Sequence, residues 1–149
     1  MTTKAKRRPA GLTIRTFQMA DYPAVVQLWE LGGLGVDSKE EVRRRLGRDR
    51  ELFLVAEIEG QPIGTVIGGW DGRRGSAWRL AVHPDYQRRR VAQALLRELE
   101  ARLKAKGATG LFLVTWHENL PAINLYTGLG YTSHPGVLFM YKNFADESE

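Results

Sequence analysis

The sequence contains no cysteine. This absence excludes disulfide bonds, thiolate metal sites and catalysis by a cysteine nucleophile. The chain also has no apolar run that approaches the roughly 18 residues of a membrane-spanning helix. Its first residues lack the apolar stretch of a secretory signal peptide. We therefore expect a cytoplasmic protein with no membrane partner.

The chain is long enough for one domain with a sizeable core, since it has 149 residues, of which 43% are apolar and 26% charged. The net charge is +5, and the two ends of the chain differ in sign. The basic side chains near the start are Lys4, Lys6, Arg7 and Arg8, and the acidic ones at the end are Asp146, Glu147 and Glu149. We predict a basic disordered tail at 1–11, a single domain at 12–144 and an acidic tail at 145–149.

Hydrophobic periodicity and turn residues predict a mixed α/β domain. The predicted helices cover residues 20–31, a segment that begins at Ser38, a segment from about 90 to 106, and 119–130. The predicted strands cover residues 12–17, two segments within 51–70 joined by a turn at 60–62, and then 76–82, 111–116, 131–136 and 137–144. Ser38 with Glu41 forms a capping-box pattern. The apolar run 111–116, LFLVTW, is typical of a strand buried on both faces.

Three consecutive arginines, residues 88–90, lie between the strand that ends at Val82 and the next helix. Cations are disfavoured at a helix N-terminus, whereas the free N–H groups there hold anions. A bound phosphate would offset the cost through charge-assisted hydrogen bonds. No Gly-Lys-Ser/Thr follows and no acidic cluster is present to hold magnesium, so we do not expect a P-loop or phosphoryl transfer. The run indicates either a polyanion site or a solvated basic face.

Two sequence motifs carry a resemblance to a known family. Residues 80–100, LAVHPDYQRRRVAQALLRELE, resemble motif A of the GNAT acyltransferases, with matches at Val82, Pro84, Gln87 and Ala92. Residues 118–131, ENLPAINLYTGLGY, resemble motif B, with matches at Asn119, Ala122, Leu125, Tyr126, Gly130 and Tyr131. Residues 52–77 further look like the bacterial YpeA-type branch of this family. The predicted element order fits the family fold from residue 12 to residue 144.

The resemblance implies a fold, an activity and a cosubstrate. The GNAT fold has a central, mostly antiparallel twisted sheet of six to seven strands with a splayed parallel pair, flanked by about four helices. The implied reaction moves an acetyl group from acetyl-CoA to a primary amine of a small molecule or peptide by direct attack in a ternary complex. No metal is implied. The final strands could pair across a homodimer, as they do in the family.

The resemblance also implies residue roles. Backbone groups of Leu80, Ala81 and Val82 would bond the pantetheine arm, and the Val82 amide would polarise the thioester carbonyl. The pyrophosphate would be wrapped by the amides of Gln87, Arg88, Arg89, Arg90, Val91 and Ala92. Asn119 and Ala122 would contact the cofactor, and Tyr126 would protonate the leaving thiolate.

Two departures from the family pattern stand out. Arg90 replaces the first loop glycine, and we expect it to be accommodated only if its φ is negative and its side chain points outward. The strand 76–82 has no carboxylate to act as general base, and Arg79 stands where one is often found. Asp71, His117 and Glu118 remain as candidate bases, with His117 favoured because histidine is the side chain most often used as a general base near neutral pH. A water chain without a dedicated base is an equal alternative.

The sequence leaves the acceptor and two other functions open. The four tryptophans and the glycine-rich loop 31–38 could shape an acceptor site, and the surplus positive charge favours an acidic or neutral acceptor. A non-catalytic acyl-CoA-binding or sensing domain is the main alternative. We do not expect a nucleic-acid-binding module, because only Tyr86 offers a stacking ring beside the arginines.

Overall fold

A computed structural model describes residues 8–88 and 90–146. Several residues named above, among them Lys4, Arg7, Arg89 and Glu149, lie outside the described residues. The expectations for the disordered basic tail and for the acidic tail therefore remain predictions. The chain divides into two compact units, one ending at Leu113 and the other beginning at Val114.

The described residues of the first unit form a five-stranded sheet and three α-helices. The strands are β1 Leu12–Thr16, β2 Phe53–Ile58, β3 Gln61–Trp70, β4 Gly75–Val82 and β5 Leu111–Phe112. The helices are α1 Tyr22–Leu31, α2 Lys39–Asp49 and α3 Val91–Ala105, and the second unit contains α4 Leu120–Gly128. The strands lie in sequence order, with antiparallel pairs from β1 to β4 and a parallel β4–β5 pair. This mixed α/β architecture confirms the predicted fold class.

Local signals explain where several of these elements begin and end. Ser38 Oγ accepts from the Glu41 amide at 3.1 Å, and Glu41 Oε1 accepts from the Ser38 amide at 3.0 Å, so the predicted capping box is confirmed. The β2–β3 turn lies at Glu59 and Gly60, slightly earlier than predicted, with φ values of 52° and 78°. Positive φ at both central residues matches the twist of the flanking strands.

The end of the chain differs from the prediction. The run 111–116 forms a strand only at Leu111–Phe112, and Phe112, Val114 and Trp116 are 40%, 45% and 80% exposed. Segments 131–136 and 137–144 contain no strand among the described residues, so the sheet has five strands and not six to seven. An apolar run does not by itself tell a doubly buried strand from another apolar segment, since burial depends on what packs over it.

One face of the sheet packs against α1 and α2. Val25, Leu28 and Trp29 of α1 and Val42 and Leu46 of α2 are buried in this layer. Phe17 stacks on Phe53 with ring centroids 4.2 Å apart. This layer fixes the position of the loop between α1 and α2, which lies beside β4.

The other face of the sheet packs against α3 at short range. The buried residues of α3 recur at helical spacing: Val91, Leu95, Leu96, Leu99 and Leu103. Opposite them, the sheet presents Gly64, Gly68 and Gly75, where an added Cβ would crowd or overlap these side chains. The glycines therefore let α3 approach the sheet closely, and this places its N-terminus next to the end of β4.

Candidate active site

Strand β4 contains a bulge in the middle of the predicted site. Thr65 pairs with Ala81 and Ile67 pairs with Trp78, so β4 has one more residue than β3 between these pairs. Arg79 lies in the bulge with φ 57°. A bulge of this kind re-aims side chains and increases strand twist, which is why bulges are common beside functional sites.

The Arg79 side chain joins the bulge to the loop between α1 and α2. Its guanidinium lies over the Trp29 ring at 4.5 Å, and its Nη2 donates to the Gly35 carbonyl. Its Nε lies 3.6 Å from Asp37 Oδ2. Asp37 also lies 3.5 Å from Arg45, and its carbonyl accepts from Tyr22 Oη at 2.7 Å. These contacts of Arg79 hold the loop between α1 and α2 against β4. Because arginine is a cation, β4 has no side chain in the bulge that could accept a proton from the amine.

Beyond the bulge, β4 has an edge that β5 does not cover. The β4–β5 ladder consists of the pairs Gly75–Leu111 and Ser76–Phe112, while β4 continues to Val82. Leu80, Ala81 and Val82, the residues predicted to bind the pantetheine arm, lie on this continuation of β4. The Val82 carbonyl accepts from Gln87 Nε2 at 3.3 Å. An extended ligand could add to this edge as a further strand.

The loop after β4 leads directly into α3. A short turn, Pro84–Tyr86, is capped by His83 Nδ1, which accepts from the Asp85 amide at 3.1 Å. Gln87, Arg88 and Arg90 are exposed, while Val91 is buried as the first residue of α3. Arg89, also predicted to contact the cofactor, lies outside the described residues.

The N-terminus of α3 has free donors. Arg90 is the N-cap residue but its side chain makes no capping hydrogen bond, and the first helical bond runs from the Ala94 amide to the Arg90 carbonyl. In the described part of the chain, no group accepts from the amides of Val91, Ala92 or Gln93. Three free N–H groups and the helix dipole favour an anion at this point.

The φ of Arg90 is positive, whereas we expected that an arginine at this position would require a negative φ. Its φ is 64°, and Arg88 also has φ 64°. The left-handed region costs a non-glycine residue roughly 1 kcal/mol or more. Arg90 therefore adopts a backbone conformation that favours glycine and adds a positive charge at the α3 N-terminus.

Substitutions of Arg90 can separate backbone strain from charge. Arg90→Gly should raise the free energy of unfolding by about 1 kcal/mol, because glycine populates positive φ without strain. Arg90→Ala removes the same charge but keeps the strain, so its stability should stay near that of the wild type. Urea denaturation of all three proteins tests this, and equal stabilities for the glycine and alanine variants would contradict it.

The second unit contains the remaining predicted residues. Asn119 is the N-cap of α4, and its Oδ1 accepts from the Ala122 amide at 3.3 Å. Its amide nitrogen remains a potential donor. The Tyr126 ring lies edge-on to Tyr131, with centroids 6.1 Å apart. His117 lies in an exposed turn before α4 and has no hydrogen bond or ion pair with any described residue.

The protonation state of Tyr126 suits an acid. Burial raises the pKa of its phenol above the ordinary value of 10.0. The group is therefore protonated throughout the neutral range and can donate a proton.

Asp71 is poorly suited to the role of base. Its Oδ1 accepts from the amides of Arg73 and Arg74 at 2.8 and 2.7 Å, and these hydrogen bonds lower the pKa of its carboxyl group. Asp71 shapes the β3–β4 turn. Glu118 is exposed in the same turn as His117. The candidate bases thus remain His117, Glu118 and water.

Sequence reasoning missed two structural features of the site. The glycine stripe that admits α3 could have been found, because Gly64 and Gly68 are four residues apart on one strand and so share a face. The contact of Arg79 with Asp37 had no sequence signal, since these residues are 42 positions apart and Arg79 lies in a bulge. The tryptophans divide between the core, which holds Trp29, and the surface, where Trp116 is 80% exposed.

The described residues include no group of three or more histidine, aspartate or glutamate side chains placed to hold a metal ion. No described helix is long and apolar enough to span a membrane.

Comparisons with known proteins give a consistent result. The model of the acetyltransferase (GNAT) family matches residues 14–131. The chain is 38% identical over 141 residues to the acetyltransferase SG1711 of Sodalis glossinidius, covering 93% of this chain and 99% of that protein. Ard1 from Thermoplasma volcanium has a similar fold, with a TM-score of 0.76 and 19% identity over 83% of this chain and 84% of that one. The PaiA N-acetyltransferase from Thermoplasma acidophilum, solved in complex with coenzyme A, gives a TM-score of 0.73 and 21% identity over 83% and 91%.

Proposed function

This chain belongs to the acetyltransferase (GNAT) family, and on that basis we propose that it transfers an acetyl group from acetyl-CoA to a primary amine by direct attack in a ternary complex. The amine belongs to a small molecule or a peptide. The YpeA-type branch and a cytoplasmic location remain predictions.

The observation that carries the proposal is the junction between β4 and α3. The edge of β4 at residues 77–82, which does not pair with β5, leads through a loop with exposed arginines to the N-terminus of α3. Three amides there have no acceptor among the described residues. The strand edge can pair with the amide groups of the pantetheine arm of coenzyme A. The N-terminus of α3 can bind the negatively charged pyrophosphate of coenzyme A. These features occur in the order in which the two parts of coenzyme A follow each other.

In the proposed site, acetyl-CoA supplies the activated acetyl group, and the protein positions it. Leu80, Ala81 and Val82 hold the pantetheine arm through their peptide groups, and the Val82 amide donates to the carbonyl oxygen, where negative charge develops. Gln87 must release the Val82 carbonyl if that group is to bond the ligand. The residues proposed to hold the pyrophosphate are Gln87, Arg88, Arg89, Arg90, Val91 and Ala92.

The second unit supplies the proposed acid. Tyr126 donates its phenolic proton to the departing thiolate, which otherwise leaves as an unstabilised anion. Asn119 and Ala122 are proposed to contact the cofactor, and Asn119 Nδ2 is the donor that its capping role leaves available. The amine loses its proton to His117, to Glu118 or to water, since Arg79 occupies the β4 bulge.

Calorimetric titration with acetyl-CoA tests the binding site directly. The wild type should bind with micromolar affinity, and Arg90→Glu should weaken binding by about tenfold or more, because it places a carboxylate beside the pyrophosphate. Lys104→Glu makes the same charge change at an exposed position in the last turn of α3, at the opposite end of the helix, and should leave affinity nearly unchanged.

Thiol release during incubation with a panel of amines completes this test. Release that depends on an amine supports the transferase. Binding without release from any amine would favour the alternative, an acyl-CoA-binding or sensing domain. The absence of binding to the wild type would overturn both.

A further inference from the structure

The loop between α1 and α2, residues 32–38, is anchored differently at its two ends. Its first residues continue from α1, since the amides of Gly32, Gly33 and Leu34 donate to carbonyls of that helix at 3.0, 3.1 and 2.8 Å. In the described part of the chain, residues 35–37 make no backbone–backbone hydrogen bond. This segment therefore depends on side chains for its position.

Two side chains from other elements bond the segment 35–37. Arg79 Nη2 donates to the Gly35 carbonyl, and Tyr22 Oη donates to the Asp37 carbonyl at 2.7 Å. Arg79 joins the segment to β4, whereas Tyr22 joins it to α1. The contact with β4 is therefore made by the residue that lies in the bulge.

The ion pair between Arg79 and Asp37 is mostly buried. The two side chains are 20% and 16% exposed, and Arg79 Nε lies 3.6 Å from Asp37 Oδ2. Both atoms are buried, and neither makes a hydrogen bond with any described residue. Arg45 Nη2 lies 3.5 Å from the same carboxylate oxygen. Because this oxygen is stabilised mainly by the cations beside it, the loss of Arg79 would favour movement of the loop that brings Asp37 into water.

The loop lies beside the part of β4 that is proposed to bind coenzyme A. A Cβ added to Gly32 would lie 3.8 Å from the Ala81 Cβ, so the start of the loop contacts the residue next to Val82. Arg79 immediately precedes Leu80, the first residue proposed to bind the pantetheine arm. The loop thus contacts β4 at Arg79 and at Ala81, and the second contact is adjacent to the proposed position of the acetyl carbonyl.

The loop and the proposed pyrophosphate site belong to opposite faces of the sheet. α3, whose N-terminus is proposed to hold the pyrophosphate, packs on one face through residues such as Leu95. Ala81 is buried in the cluster on the α1 and α2 side, and Leu34 of the loop packs against this cluster. Direct attack requires the amine to approach from a side that coenzyme A does not fill. The face that carries the loop offers that approach.

We propose that Arg79 is a positioning residue for the acceptor amine. It holds the segment 35–37 against β4, and this segment forms one wall of the site from which the amine attacks. The inference rests on the proposed acetyl transfer for the role of the segment, but the anchoring of the segment by Arg79 does not depend on that role.

The order of the loop is tested first, without acetyl-CoA or an amine. The heteronuclear NOE of the Gly35 and Val36 amides measures motion of the segment on the picosecond-to-nanosecond timescale. Arg79→Gln should lower it, because glutamine keeps a Cβ in the bulge but removes the guanidinium. Arg45→Gln removes the other cation beside Asp37 and leaves Arg79 in place, so it should keep the wild-type value.

Acceptor binding is tested next, with the amine that gives the fastest thiol release. Arg79→Gln should raise KM for this amine by about tenfold or more, as expected for the loss of contacts made by a charged group. Acetyl-CoA affinity, measured by calorimetry, should stay close to that of the wild type. A merely structural defect would instead lower kcat through a loss of folded enzyme and leave KM unchanged. Arg45→Gln should keep the wild-type KM.

Asp37→Asn tests the same contact from the side of the loop. It removes the charge but keeps the size of the side chain, so it should raise KM as Arg79→Gln does. The double variant should raise KM no further than either single variant, because both substitutions break one contact. Asp37→Asn also decides the question if Arg79→Gln does not fold.

The two proposals fail in different ways. Wild-type loop order in Arg79→Gln and Asp37→Asn overturns this inference, as does a wild-type KM in a variant whose loop has become mobile. An equal rise of KM in Arg45→Gln also overturns it, because the effect would then follow the charge around Asp37 and not the anchor. The absence of thiol release with every amine instead overturns the proposed acetyl transfer. A mobile loop in Arg79→Gln would then show an anchor that has no role in acceptor binding.

Discussion

Replacing Tyr126 by phenylalanine should lower kcat by about 10²- to 10⁴-fold, the usual contribution of a general acid. The variant loses the proton donor for the coenzyme A thiolate but keeps the ring that lies edge-on to Tyr131. Acetyl-CoA affinity should therefore stay close to that of the wild type. Steady-state thiol release and calorimetry on the same preparation measure the two quantities separately.

A matched control is available in the same unit. Tyr141 is 79% exposed, so Tyr141→Phe removes a phenol without affecting the proposed acid and should keep wild-type kcat. A loss of affinity that matches the loss of kcat in Tyr126→Phe would contradict the acid role, because it would show a binding defect.

The pH profile gives a second check on Tyr126. Its pKa is raised by burial, so the phenol stays protonated until the pH exceeds its ordinary value of 10.0. Loss of the acid should therefore cause kcat to decline only above that pH. This alkaline decline should be absent in Tyr126→Phe, whose residual activity has no phenol to titrate.

Gly68→Ala should lower the free energy of unfolding by about 1–3 kcal/mol, the typical cost of overpacking a core. The new Cβ would overlap Leu99 Cδ1 and would lie 3.1 Å from both the Cβ and the backbone oxygen of Leu52. The leucine side chain can rotate, but the Leu52 backbone is held in place by its neighbours. Urea denaturation followed by circular dichroism measures the change.

Gly47→Ala is the control for this substitution. Gly47 lies in α2, and no atom lies within 4 Å of a Cβ added there. Alanine should stabilise the helix by about 0.5–1 kcal/mol, which is opposite in sign to the effect at Gly68. If Gly68→Ala is as stable as the wild type, α3 does not need the glycine for its close approach.

Much of the site follows from short-range patterns. The strand, the arginine loop and the amphipathic helix occur in a continuous stretch of chain, so the β4–α3 junction could be located from residues 80–103 alone. The resemblance to the family motifs added the predicted roles of Asn119 and Tyr126, which no periodicity suggests. The conformation of Arg90 was not predictable in this way, because φ 64° at that residue is maintained by the loop and helix around it.

The sequence alone determined those elements whose stabilising interactions join residues close together in the chain. The capping box at Ser38, the apolar spacing of α3 and the alternation in β1 each depend on residues within a few positions of one another. The bulge at Arg79 and the contact of Arg79 with Asp37 are decided only in the folded chain. The folded chain also decides that residues 137–144 do not join the sheet. These features depend on contacts between distant segments, and the free energy of such contacts is not encoded in any single stretch of sequence.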